Sequence, residues 1–298
     1  MGNDDVDVAV CVASYRRPAG LHALLGAIDG QTFSGREPAV AIVVVDNDAA
    51  QSAREVAEDA RRWLRFPIDY RVEPRRGIPH ARNAALAVAL GRARWIAFID
   101  DDELPEPGWL AELLAVQQRT GADIVTGPVL RRFAEPPARW VVDGGFFAAP
   151  RRADGARVAT ALTGNTLVRT ACLVAEGARF DERLVPIGED TELFERLAAR
   201  GHAIAWADAA VVTEVVPPQR ATLRWILARA WRAGRARTRI ERLHAPRGAV
   251  RRVLFAALHD LALGALRALG ALRLAHRARG LQLASYGAGR ARGLLSRG

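Results

Sequence analysis

Four short β-rich runs, at residues 6–12, 40–45, 68–72 and 95–99, are separated by stretches whose hydrophobic residues have helical spacing. Strands that alternate with helices are joined by crossovers rather than hairpins, so this pattern demands βαβ units and a mainly parallel sheet flanked by helices. No other feature of the chain narrows the fold as far. Helices are predicted near 20–28, 52–63 and 80–90, the first from the apolar positions Leu21, Leu24, Leu25 and Ile28. Later elements are shorter: a helix near 109–118, a strand at 124–126, and Pro/Gly-rich irregular sequence to about 154. A short strand over 163–168 follows a Thr-Gly-Asn turn, then come a helix over 191–200 ended by Gly201 and strands at 204–206 and 211–213.

Two of the four runs end in clustered acids, Asp46-Asn47-Asp48 and Asp100-Asp101-Asp102-Glu103. In open α/β sheets ligands bind beyond the carboxyl ends of the strands, so both clusters stand where a ligand is expected. Adjacent carboxylates repel one another unless a cation offsets them. Hard oxygen ligands suit Mg²⁺ or Mn²⁺, and Mg²⁺ is commonly held by one or two carboxylates together with substrate phosphates. An Asp-x-Asp here can present a metal-bound nucleotide diphosphate, although a solvated acidic turn accounts for the run equally well by itself. Asp46 can accept from a base or ribose, or close an Asx turn. Arg82, in the loop Gly77-Ile78-Pro79-His80-Ala81-Arg82-Asn83 that enters a helix, offers its donors to phosphate or base, or to a surface ion pair. Glu189 and Asp190 open a helix, where acids complement the dipole; the functional reading makes Asp190 a general base.

Charge divides the chain. From Gln219 to Gly298 there are 18 Arg and two acids, Glu241 and Asp260, whereas residues 1–218 carry a net charge of −6. The division predicts a catalytic domain over 1–218 and a basic helical extension over 219–298. Every basic residue is Arg and Ala is abundant, so the total of +10 reflects residue bias as well as partner choice. On a helical wheel over 251–277, Arg252, His259, Asp260, Arg267, Arg273 and Arg277 share one arc. Leu254, Leu258, Leu261, Leu269 and Leu272 lie on the other side, and Leu263, Leu266 and Leu274 break the pattern. The uncharged apolar runs are too short to span a bilayer, so the extension reads as a helix on an anionic membrane surface, or as one packed on protein. No aromatic-interleaved basic motif supports nucleic-acid binding. Cys11 and Cys172 sit in apolar stretches and read as buried thiols in a reducing compartment. The start has no basic region and no small-residue cleavage site, so a cytoplasmic protein is expected, peripheral at the inner face of the cell membrane.

Taken in order, six segments resemble glycosyltransferase family 2. They are Val10-Cys11-Val12-Ala13-Ser14-Tyr15-Arg16-Arg17-Pro18, Ile42-Val43-Val44-Val45-Asp46-Asn47-Asp48, Gly77–Asn83, Trp95–Pro105, Thr163-Gly164-Asn165, and Phe180-Asp181-Glu182 with Gly188-Glu189-Asp190-Thr191. Each is modest, but six in one order over about residues 6–235 are specific. Val45-Asp46-Asn47-Asp48, Asp101-Asp102-Glu103-Leu104-Pro105 and Thr213-Glu214-Val215-Val216-Pro217 are most similar to the succinoglycan-type exopolysaccharide glucosyltransferases.

The resemblance implies a GT-A fold: a Rossmann-like, mainly parallel α/β sheet flanked by helices, here with the Arg-rich helical extension. It implies inverting transfer of a hexose, glucose favoured, from a UDP-sugar to a hydroxyl of a saccharide or lipid-linked acceptor in glycan biosynthesis. Ala13 and Tyr15 would line the base pocket, Asp46 would meet the uracil edge, Arg82 would lie beside the nucleotide, and Asp101 would belong to the same site. Asp100 and Asp102 would form the Asp-x-Asp pair, with Asp102 the direct ligand of Mg²⁺ or Mn²⁺ and Asp100 nearer the ribose. Asp190 would be the general base, and Asn165 and Glu189 would contact acceptor or sugar. Glu214 would stand where many relatives have a metal-contacting His. Processive relatives carry Gln-x-x-Arg-Trp; Gln219 precedes Arg224-Trp225 at a different spacing, which implies a single addition. A nucleotidyltransferase would show a Gly-rich phosphate loop where Ala13-Ser14-Tyr15-Arg16-Arg17-Pro18 stands, and Asp100, Asp102 and Asp190 argue against a catalytically dead scaffold that binds sugar or membrane.

Overall fold

A computed structural model describes residues 6–244 and 249–295. The chain divides into an α/β unit (Met1–Leu130, Ala149–Val185 and Glu189–Glu214) and a helical unit (Arg131–Ala148, Pro186–Gly188 and Val215–Gly298). The last segment of the helical unit begins at Val215, three residues before the boundary expected after residue 218. The helical unit draws in a mid-chain stretch because Phe133, Trp140, Phe146 and Phe147 cluster with Val216, Trp225 and Ile226.

In the α/β unit, strands β1 (Val6–Ser14), β2 (Val40–Asp46), β3 (Ile68–Val72) and β4 (Ala93–Asp100) are parallel neighbours in the order β3-β2-β1-β4. Helices α1 (Pro18–Asp29), α2 (Arg54–Ala60) and α3 (Ile78–Ala89) make the crossovers. Alternate side chains of a strand face opposite ways. Val8, Val10 and Val12 accordingly join Leu21, Leu24 and Leu25 of α1 in one core, while Ala9 and Cys11 join Ala81, Ala85 and Leu86 of α3 in the other. Burial on both faces is why β2 and the middles of β1 and β4 read as apolar runs. The sheet continues through antiparallel β8 (Thr166–Arg169) to β6 (Ile124–Thr126) and β9 (Ile204–Trp206). The Thr-Gly-Asn turn expected at the head of the 163–168 strand is the 3₁₀ turn Thr163–Asn165, and β8 follows it. Helices α4 (Trp109–Thr120), α6 (Thr170–Ala175) and α7 (Glu189–Ala199) complete the unit.

The chain runs outward from β1 to β3 and then returns to place β4 on the other side of β1. Such a reversal opens a crevice at the carboxyl ends of the two central strands. The register lines up their last residues: Ala13 lies opposite both Val45 and Asp100, and Ser14 lies opposite Asp46. A second sheet has the order β5-β10-β7, formed by β5 (Glu103–Pro105), β10 (Val212–Val216) and β7 (Val129–Phe133). Antiparallel pairing of β10 with β5 sets Glu214 opposite Glu103.

The helical unit consists of α5 (Arg139–Asp143), α8 (Leu223–His244), α9 (Ala249–Gly270) and α10 (Leu274–Leu295). Helix α10 packs against both α8 and α9. Its approach to α8 requires glycine: a Cβ at Gly289 would lie 2.1 Å from the Trp231 carbonyl oxygen. Arg290 of α10 reaches Glu241 at 2.9 Å on α8 and Asp260 at 3.5 Å on α9. The two acids of the extension are thus both engaged in helix packing. The chain breaks after Gly270, so the single wheel over 251–277 is corrected: Arg277 belongs to α10. Among the described residues, Val250–Gly270 form a helix long and apolar enough to cross a membrane by length and composition, while its uncharged runs are short, as the sequence reading has them. Only Asp260 and Arg267 interrupt residues 253–270 with formal charge. The outward side of α9 presents Leu254, Phe255, Leu258, Leu266 and Leu269 to solvent.

Candidate active site

The acidic run at the end of β4 is sorted by direction. The side chains of Asp100 and Asp102 are 39 % and 29 % exposed, whereas that of Asp101 is 6 % exposed. Asp101 accepts from Ser14 Oγ at 2.9 Å, from the Tyr15 N–H at 3.2 Å and from Arg17 Nη1 at 2.8 Å. Burial pushes its pKa up, and Arg17 and Ser14 oppose that shift. These bonds engage Asp101 in holding the loop after β1. That loop carries Arg16 in a left-handed conformation, φ 55°. Such a backbone costs a non-glycine residue on the order of 1 kcal/mol. Two bonds restrain it here, from Arg16 N–H to Ser52 Oγ at 3.2 Å and from Arg16 Nε to Asp48 at 3.0 Å.

Arg82 is buried, not a surface residue. Its Nη2 donates to Asp100 Oδ1 at 2.7 Å and its Nη1 to Glu189 Oε1, so one guanidinium ties the end of β4 to the start of α7. Burial alone would lower its pKa, but Asp100, Glu189 and Asp190 outweigh burial and raise it. Glu189, expected at acceptor or sugar, is only 2 % exposed and sits behind Arg82. Burial raises its pKa to about 7 against the pull of Arg82, with Asp190 and Asp100 adding to the rise. Its second oxygen, Oε2, is buried without a hydrogen-bond partner among the described residues. Asp190 is half-buried at the first turn of α7, where its Oδ1 accepts from the Thr191 N–H at 2.6 Å.

Asp46 and Asn165 are likewise held by bonds within the fold. Asp46 is fully buried; it accepts from the Asp48 N–H at 3.0 Å, the Ala53 N–H at 2.7 Å and the Tyr70 hydroxyl at 3.0 Å. It closes an Asx-type turn and has no open edge for a base. Asn165 is buried, accepting from Trp109 Nε1 at 2.8 Å and donating to the carbonyls of Pro128 at 3.1 Å and Ala210 at 2.7 Å. Both its donors and its acceptor serve the fold. Ala13 and Tyr15 remain half-buried at the mouth of the crevice. The guanidinium carbons of Arg16 and Arg76 lie 5.2 and 4.8 Å from the Tyr15 ring centroid.

Carboxylate fields converge beside these residues. Glu103 is buried, and burial, then Asp100, Asp102 and Glu214, push its pKa well above the ordinary range, opposed by a bond from the Asp100 N–H at 3.0 Å. Among the described residues, no three His, Cys, Asp or Glu side chains form a ready metal cage. Of the expected trio Asp100, Asp102 and Glu214, Asp100 pairs with Arg82 and Asp102 lies 2.9 Å from Arg17. The donor set nonetheless fits a hard divalent ion that takes two carboxylates and completes its shell from phosphate oxygens. Packing around Glu103 is tight, since a Cβ on Gly164 would meet Glu103 Oε1 at 2.5 Å.

Several participants escaped the sequence reading. Arg17 bridges Asp101 and Asp102, Ser14 anchors Asp101, and Arg76 covers Tyr15. The signal for Arg17 was present, as a basic residue at the end of a strand beside an acidic strand end. Ser14 and Arg76 had no such mark.

Comparison with known proteins agrees with this geometry. Residues 9–173 match the family described as glycosyl transferase family 2. The chain is 35 % identical over 253 residues to the succinoglycan biosynthesis protein ExoM of Rhizobium meliloti (strain 1021), covering 84 % of this chain and 80 % of that one. Among solved structures, it is similar to the mannosyltransferase PcManGT from Pyrobaculum calidifontis in complex with GDP-Man and Mn²⁺, with a TM-score of 0.66, 19 % identity, and 97 % and 87 % of the two chains covered. It is similar also to S. aureus TarS 1-349 in complex with UDP, with a TM-score of 0.57, 17 % identity, and coverage of 96 % and 90 %. These structures share the GT-A fold with this chain. The chain belongs to glycosyl transferase family 2 and is a glycosyltransferase.

Proposed function

We propose that the protein transfers a single hexose, glucose favoured, with inversion, from a UDP-sugar to a hydroxyl of a saccharide or lipid-linked acceptor in polysaccharide biosynthesis. The observation that carries the reading is the outward pairing of Asp100 and Asp102 at the switch point, joined through Arg82 to the turn that bears Asp190. ExoM, a succinoglycan biosynthesis protein, supports the pathway class, and neighbours bound to UDP or GDP-Man support a nucleotide-sugar donor.

In this reading Asp102 and Asp100 would hold Mg²⁺ or Mn²⁺, which would supply positive charge to offset that developing on the leaving diphosphate. Tyr15 and Ala13 face the base, while Arg16 and Arg76 add positive charge at the rim. Asp190 takes the proton of the acceptor hydroxyl as its oxygen bonds to the anomeric carbon. The bond from that carbon to the diphosphate oxygen breaks on the opposite face, and the nucleoside diphosphate leaves with the electron pair. Arg82 and Glu189 position Asp100 and the Asp190 turn.

The protein works at the inner face of the cell membrane, attached peripherally. Support comes from α9, whose exposed leucines and Phe255 form an apolar face with Arg251 and Arg252 at one end and Arg267 at the other. Apolar faces flanked by Arg suit the boundary between headgroups and acyl chains.

A panel of nucleotide sugars, each with Mn²⁺, tests the donor by thermal shift. A UDP-hexose should raise the melting temperature, and chelator should abolish both that shift and transfer. Full transfer in chelator, or stabilisation only by a different base, would overturn the assignment.

A further inference from the structure

Two loops meet where Tyr15 stands: the turn after β1, which carries Tyr15 and Arg16, and residues 73–77 between β3 and α3. One residue, at the end of β2, is bonded to both. Asn47 is buried. Its backbone N–H donates to the Ser14 carbonyl at 2.8 Å. Its Nδ2 donates to the carbonyls of Glu73 and Arg75, each at 2.8 Å, and its Oδ1 accepts from the Gly77 N–H at 2.8 Å. An amide is the side chain that offers two donor hydrogens and an acceptor oxygen together. An aspartate would present a carboxylate to two carbonyl oxygens, so the position demands the amide.

The loop is held at its other points as well. Gly77 has a φ of 143°, which favours glycine, and a Cβ there would meet His80 Cδ2 at 3.0 Å. Glu73 accepts from the Arg75 N–H at 2.9 Å and from Arg75 Nη2 at 2.9 Å. Arg76 lies between the anchored residues Arg75 and Gly77, and its own side chain is exposed. Its guanidinium carbon lies 4.8 Å from the Tyr15 ring centroid. A surface arginine normally loses much rotamer freedom when it binds a ligand. Here a fixed backbone and the attraction between cation and ring set its place beforehand.

Bases stack on aromatic rings and on guanidinium planes alike. Tyr15 and Arg76 supply one of each in contact. Arg76 is set against that ring, whereas Arg82 and Arg17 are the arginines set against Asp100 and Asp102. The geometry points to Arg76 as a base-binding residue of the donor site and to Asn47 as the residue that positions it. Asn47 acts through the 73–77 loop, because its own polar groups are engaged within the fold. The inference rests on the reading that Tyr15 faces the base.

Titration of the full chain with uridine, followed by ligand-observed NMR, and with UDP and Mn²⁺, followed by calorimetry, tests both roles. Uridine has no diphosphate and reports on the base alone. Arg76→Ala should weaken uridine and UDP by a similar factor, about threefold to tenfold, with the melting temperature unchanged. Asn47→Ala should weaken both at least as much. Adding Arg76→Ala to Asn47→Ala should weaken them little further, since the positioned side chain has already lost its place. Gly77→Ala displaces the loop from its other end and supplies the same comparison if Asn47→Ala does not fold. Uridine bound equally by Arg76→Ala and wild type, a loss confined to UDP, or fully additive losses in the double variant would each overturn the proposal. Guanosine binding in place of uridine would overturn the UDP reading alone, and the same variants are then compared with guanosine. A wild type that binds neither nucleoside overturns the proposal together with the reading of Tyr15.

Discussion

Arg82 Nη2 donates to Asp100 Oδ1 at 2.7 Å, and the other arm of the same guanidinium holds Glu189, so a single side chain of α3 links the metal-side carboxylate to the turn of the proposed base. Removing it strands a buried carboxylate. Breaking a buried pair from one side costs about 3–5 kcal/mol. Arg82→Ala should lose stability of that order in denaturant unfolding, and Arg82→Lys, a point charge unable to fork to both acids, should fall between. A stability unchanged in Arg82→Ala would mean the pair does not hold these elements.

Asp101 and Asp102 are adjacent and should fail differently. Asp101→Ala removes the acceptor of three hydrogen bonds and leaves Ser14 Oγ without it, at a cost of about 1–3 kcal/mol visible as a lower melting temperature. Asp102→Asn should melt like wild type yet need much higher Mn²⁺ to bind UDP. Reversal of that pattern, with Asp102→Asn unstable and Asp101→Ala defective only in metal response, contradicts the directional sorting.

Asp190→Asn keeps the size of the side chain and its bond from the Thr191 N–H while removing the base. Transfer should slow by roughly two orders of magnitude or more, with donor binding and melting unaltered. Near-normal turnover excludes Asp190 as the proton acceptor.

The pKa of Glu189, near 7 in the folded chain against an ordinary 4.5, makes stability depend on pH. The folded state binds this proton more tightly than the unfolded state does. Its contribution is therefore complete below 4.5 and is lost as pH rises through about 7. Glu189→Gln should flatten that part of the stability profile. An identical slope in both proteins between pH 4.5 and 7 would assign the dependence to other groups.

Membrane attachment should reside on the outward face of α9. Replacing Leu254, Phe255 and Leu258 with Glu removes three exposed apolar side chains, each contributing about 1.5–3 kcal/mol when fully buried. Flotation with anionic vesicles should be lost while transfer to a soluble acceptor persists. Undiminished flotation would place attachment elsewhere.

The central strands β1, β2 and β4 were legible because they are largely buried on both faces, which makes them nearly continuous apolar runs whatever their neighbours. Ile68–Val72, Ile124–Thr126 and Ile204–Trp206 match the expected limits. β5 and β7 were missed because a three-residue strand such as Glu103–Pro105, or an Arg-bearing one such as Val129–Phe133, has no readable period. Both cysteines are buried free thiols, as their apolar settings indicated.

Residue types and their order determined that acids cluster at strand ends, that an arginine stands near them, and that the chain resembles one transferase family. Those are properties of local sequence. Which acids face outward was decided only in three dimensions. Asp46 and Asp101 look as available as Asp100 and Asp102 in one dimension, yet bonds from Tyr70, Ser14 and Arg17 turn them inward. Those partners come from distant segments, and hydrogen-bond donors that a fold brings to a carboxylate leave no trace in the residues beside it.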